Sequence, residues 1–165
     1  MILGMTPLTF AHVVLSLIGI VSGLVVAIGL LQSERRDGWT AIFLLSTLAT
    51  SVTGFFFFSL TPFLPSHVVG ILSLIALAFA VPAFYVFDLT GAWRWIYVTC
   101  AMIALYFNTF VLVVQLFRKI PALHALAPTE SEPPFAIVQG IVLVAFVILT
   151  IAAVRALHPR ASLPA

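Results

Sequence analysis

Five side chains have the types and the spacing to build a polar site inside a strongly apolar chain: His12, His67, Asn108, Gln115 and Gln139. Imidazoles and amides both donate and accept hydrogen bonds without a fixed charge. In hydrocarbon an unbonded amide is costly, so each of these groups must face a partner and not lipid. Three chemistries fit the set. It can be a structural network that fixes helix register. It can be a mostly apolar pocket with a few convergent polar groups, suited to a lipid or a quinone. Or His12 and His67, on different helices, can act as axial ligands of a b-type haem, with Gly19 and Gly70 making room for the macrocycle. The sequence demands no cofactor, and it offers no other metal set.

Catalytic constellations are absent. There is no phosphate-binding loop, no GxSxG, no HExxH and no carboxylate pair in an apolar stretch. Glu130 and Glu132 sit close together in a proline-rich loop, where solvation or pairing with Arg118 and Lys119 accounts for them. An enzyme is not expected.

The elements that must position these groups follow from composition. The chain is 63% hydrophobic and 7% charged, with a mean hydropathy of +1.26. A soluble domain carries roughly a quarter charged residues. All seven basic and five acidic residues lie between or beyond five apolar stretches: Leu8–Leu31, Trp39–Leu60, Val68–Phe87, Ile96–Phe117 and Phe135–Val154. Each approaches the ~20 residues needed to cross ~30 Å of hydrocarbon. The expected fold is all-α, one transmembrane domain over residues 1–165 with five membrane helices and no soluble domain.

Orientation follows from the basic residues. With the N-terminus outside, Arg35, Arg36, Arg94, Arg155 and Arg160 fall inside, and only Arg118 and Lys119 fall outside. This is the positive-inside pattern, so N-out and C-in is expected. The first stretch lacks the basic start of a signal peptide and is too long for its apolar core, so it is expected to remain as the first span. The net charge of +2 comes from scattered residues and makes no nucleic-acid surface. The single cysteine, Cys100, excludes an intrachain disulfide and a thiolate cluster. Embedded carboxylates and bases, which mark ion-coupled transport, are missing.

Local punctuation agrees. Gln32–Gly38 is a polar turn, Thr61–Ser66 holds two prolines, and Trp93-Arg94-Trp95 is an aromatic–basic anchor. Pro82 removes a backbone donor within the third span and is expected to kink it. The long loop over residues 118–134 either bridges two helix ends rigidly or acts as a lid or docking surface. Within it, Ile120–Leu126 suits a short interfacial turn, and Thr129, Ser131 and Glu132 are start signals before Pro133 and Pro134.

Helical neighbours share a face at i+3 and i+4. His12, Ser16, Gly19, Gly23 and Ala27 form one small, polar face suited to close packing, within the chain or with a second copy. Tyr97, Ala101, Ala104, Asn108 and Gln115 form another, and Gln139, Phe146, Thr150 and Ala153 a third. The hydroxyls Ser46, Thr47, Thr50, Ser51 and Thr53 read as packing glue, and the Phe55–Phe58 block as lipid-facing or core. On the expected topology the polar candidates converge on the outer half, beneath the long loop.

The segments Ser51–Phe55 (SVTGF), Leu64–Gly70 (LPSHVVG), Gly91–Val98 (GAWRWIYV) and Leu126–Phe135 (LAPTESEPPF) resemble those of small uncharacterised polytopic inner-membrane proteins of bacteria. The resemblance spans most of the chain. It implies an inner-membrane location and no activity, cofactor or site residue. The leading expectation is a non-catalytic accessory, structural or assembly subunit. The alternatives are a bundle binding lipid, quinone or haem in its outer half, and a transporter of small neutral solutes. Expected partners are membrane lipids and a protein or second copy on the Gly19/Gly23 face.

Overall fold

The computed structural model describes residues 6–55 and 65–156, and among them there are helices and no strands. In chain order these are α1 (Pro7–Leu31), α2 (Asp37–Gly54), α3 (Pro65–Tyr85), α4 (Trp93–Lys119), α5 (Pro121–Leu126) and α6 (Pro133–Ala156). Each of the five expected stretches holds one long helix. Residues 56–64, with most of the two-proline turn and the aromatic block, lie outside the described residues, as does Arg160.

Four of the helices, α1, α3, α4 and α6, are long and apolar enough to cross a membrane. The fifth, α2, is the shortest of the long helices at 18 residues, begins at Asp37 and carries the run of hydroxyls. Its polarity is what sets it apart.

The starts obey local chemistry. Thr6 caps α1 by accepting from the Thr9 amide at 3.2 Å, and Pro7 follows where a missing N–H costs nothing. Pro121 and Pro133 open α5 and α6 in the same way. Pro82 sits one turn before the end of α3, and its carbonyl accepts from both Val86 and Phe87 as the chain leaves the helix. Asp88, Leu89 and Gly91 then take positive φ in a tight turn to α4.

The central helix is α4, which touches α1, α2, α3, α5 and α6. Lipid tails are as apolar as leucine, so close packing and interhelical hydrogen bonds hold such a bundle together, not transfer from water. Small residues provide the approach: Ala76, Ala80 and Ala83 of α3 and Ala101 and Ala104 of α4 are all buried. Gly19 and Gly23 are used inside the chain. A Cβ on Gly23 would lie 2.5 Å from Leu105 and 2.9 Å from Phe43, and one on Gly19 would lie 2.9 Å from Asn108. Both glycines thus serve packing against α2 and α4 within the chain.

The end of the bundle at which α1 finishes carries a connected set of charges. Arg35 pairs with Asp37 at 2.7 Å and with Asp88 from the α3–α4 turn, and its guanidinium lies 4.5 Å above the Phe84 ring. Arg36 pairs with Glu34 at 2.8 Å, and Ser33 donates to the last carbonyl of α6 at Ala156. The Asp88 bond, chiefly, holds Arg35 above its usual pKa. These contacts tie three chain segments together at one interface.

Candidate functional site

At the opposite end a cavity of about 470 Å³ opens among α1, α2, α3, α4 and the loop before α6. It falls within the range of small-molecule sites, roughly 300–1,000 Å³. Four of the five candidate residues line it: His12, His67, Asn108 and Gln115. They come together because α1 and α3 begin at this end while α4 finishes there. The fifth, Gln139, is not among the lining residues.

Asn108 faces inward, as the cost of a bare amide in hydrocarbon requires. Ser16 Oγ donates to its Oδ1 at 2.8 Å, and its Nδ2 donates to the Ser16 carbonyl at 3.3 Å. Gly19 permits this: a side chain there would meet Asn108, Thr47 and Ser46 within 3.2 Å. One helical turn further along α1, Leu105 and Phe43 close over Gly23. The Asn108–Ser16 pair is therefore the floor of the cavity, with packed apolar core beneath it.

His12 lies near the start of α1, with Nδ1 2.9 Å from the Thr53 hydroxyl. That hydroxyl donates its own hydrogen to the Ala49 carbonyl at 2.7 Å. With the hydroxyl hydrogen directed to Ala49, His12 Nδ1–H is the donor of the 2.9 Å contact. His67, in the first turn of α3, is 2% exposed and stacks on Phe55, with rings 5.8 Å apart and 10° from parallel. It lies deeper than its place at a helix start suggests.

Gln115 is exposed and sits at the rim with Arg118. Gln139 is buried elsewhere: its Nε2 donates to the Phe110 carbonyl at 3.2 Å, fastening α6 to α4. Phe146 and Ala153 continue its buried face, and Thr150 donates to the Phe146 carbonyl.

The long loop forms part of the wall. Ala127 is fully buried against Val113 and Phe117. Glu132 gathers the Thr129 and Ser131 amides at 3.1 Å each, which orders the turn into α6. Glu130, at φ 58°, turns back to hold Arg118 through both carboxylate oxygens, one of them at 3.1 Å from Nη2. Thr129, Glu130 and Arg118 all line the cavity.

The α2 hydroxyls divide in a way that spacing alone did not reveal. Ser46 and Thr53 donate to carbonyls four residues back, and Ser51 donates to Ser73 at 3.1 Å. These are the expected glue. Thr47 and Thr50 are different: both line the cavity, and among the described residues neither hydroxyl has a hydrogen-bond partner. Thr47 is 1% exposed.

The haem expectation rested partly on room at Gly19 and Gly70. The space at Gly19 is taken by Asn108, Thr47 and Ser46, and that at Gly70 by Phe55, whose ring would lie 3.2 Å from a Cβ. Among the described residues no group of three or more His, Cys, Asp or Glu is placed to hold a metal ion.

No family model, curated protein or solved structure matches the chain.

Proposed function

We propose that this is a five-span integral protein of the bacterial inner membrane, N-out and C-in, whose work is to bind an apolar small molecule of the lipid or quinone class. The observation that carries this reading is the cavity whose lining includes Thr47 and Thr50, two threonines with buried hydroxyls that have no partner among the described residues. A structural network would satisfy such donors within the protein, because an unpaired buried hydroxyl costs about 1–3 kcal/mol. The remaining lining is mainly apolar: Phe55, Val69, Phe107, Phe110, Val111 and Val114.

The count of five treats α2, which lies in the apolar stretch Trp39–Leu60, as a span. Its hydroxyls are tolerable at membrane depth because they face the cavity, α3 or their own backbone. The orientation rests on the bias of basic residues.

Binding is favoured over passage of a neutral solute because the polar lining stops at Asn108, where Phe43 and Leu105 fill the bundle. An accessory role in a larger assembly is compatible with a bound lipid or quinone, and the exposed apolar face of α6 is what either lipid or a partner helix would cover.

Gentle purification followed by native mass spectrometry and an absorbance spectrum tests the proposal. The expected result is one small apolar molecule retained per chain, identified by extraction. A chain carrying no retained molecule, and taking up none from added lipid or quinone, overturns it. A Soret band with bound iron would replace it with the haem reading.

A further inference from the structure

The hydrogen-bonding capacity left at the cavity floor includes three donors. Membrane-helix hydroxyls commonly donate to the carbonyl one turn back. Ser22, Ser46, Thr53, Thr109 and Thr150 all do so, at 2.6–2.9 Å. Thr47 and Thr50, one helical turn apart on the cavity side of α2, do not. Asn108 adds a third donor: one Nδ2 hydrogen goes to the Ser16 carbonyl and the other remains. Its carbonyl oxygen already accepts from Ser16. Two of these donors, Thr47 and Asn108, lie against Gly19, whose missing side chain lets them approach to this depth, and Thr50 lies one turn along α2 in the same cavity lining.

We infer that the bound molecule presents a carbonyl oxygen to the Thr47, Thr50 and Asn108 donors, with its apolar body along Val111, Phe110 and Phe55 toward the rim. The inference rests on the binding role proposed above and narrows it to one chemical class. Quinones and ester-linked lipids both offer such a carbonyl. The donor set accepts either, and it discriminates against an equally apolar molecule without an acceptor, which would leave the hydroxyls unsatisfied in a dry site.

The test uses the full chain in detergent and four ligands, titrated by native mass spectrometry. They are a decyl-benzoquinone and decylbenzene, and a diacyl phospholipid and its dialkyl ether analogue. At least one carbonyl-bearing member is expected to bind about tenfold more tightly than its carbonyl-free counterpart. The pair showing the preference distinguishes quinone from ester lipid. Replacing both hydroxyls by methyls of the same shape, Thr47→Val with Thr50→Val, is expected to erase the preference. The ligand-free melting temperature should not fall, whereas hydroxyls serving as glue would lower it when removed. If the double variant does not fold, Thr50→Val alone is expected to reduce the preference.

Equal binding within both pairs, or a preference that survives the double variant, overturns the carbonyl inference while leaving the binding role intact. Binding of none of the four removes both.

Discussion

Gly23→Leu is expected to stop the bundle from assembling, with a stability loss of about 3 kcal/mol or outright failure to fold. The reason is geometric. Even a lone Cβ at this position would come within 2.5 Å of Leu105 and 2.9 Å of Phe43, so three helices would have to separate to admit a longer side chain. Phe43 and Leu105 are each 1% exposed, so neither can swing out to solvent without parting the helices. Gly140→Leu on α6 is the control, because nothing lies within 4 Å of a Cβ there. Melting in detergent, followed by helical circular dichroism, reads the difference. Equal melting temperatures for the two variants would mean that α1, α2 and α4 do not pack as described.

Asn108→Leu is the second large effect, expected at about 1–2 kcal/mol, together with loss of ligand binding. It breaks both bonds with Ser16 and leaves the Ser16 hydroxyl to find another acceptor. Interhelical hydrogen bonds in membranes average about 0.6 kcal/mol each, and a stranded polar group adds to that. Gln139→Leu removes a single bond, to the Phe110 carbonyl. It is expected to cost about half as much and to leave ligand binding unchanged. A double-mutant cycle between Asn108→Leu and Ser16→Ala separates their coupling from side effects of either change. Additive losses would show that the two residues do not form the floor together.

The contrast between those two amides shows where sequence reasoning reaches and where it stops. Asn108 had to point into the bundle, since no lipid-facing amide is tolerated at that depth, and its i−4 neighbour Ala104 marked the same buried face. Gln139 obeyed the same rule. Yet the rule does not say which neighbour an inward face meets, and the neighbour turned out to be the Phe110 carbonyl and not the cavity. The boundaries of the long helices were legible because charges, prolines and glycines punctuate them. The gathering of His12, His67, Asn108 and Gln115 at one end was legible because alternating helices return to the same side.

Other features required the fold. Thr47 and Thr53 have the same chemistry on one helix. Thr53 turns to its own backbone and meets His12, while Thr47 faces a gap opened by Gly19 on another helix. Nothing local separates them. The clasp of Arg35 with Asp88 joins residues 53 apart, and neither residue carries a mark of the other in its surroundings. Thr40, one of the polar residues outside the expected site, is 2% exposed and accepts from the Tyr97 hydroxyl at 3.4 Å, so it too belongs to the buried framework.

The proposed ligand site is the cavity beneath the long loop. Val111→Trp, which adds bulk to the cavity wall from α4 and leaves the polar residues of the floor in place, provides the direct comparison. Native mass spectra of wild type and Val111→Trp, purified side by side and equally helical, should differ by the mass of one bound molecule that only the wild type retains. Identical retained masses in the two proteins would contradict the account.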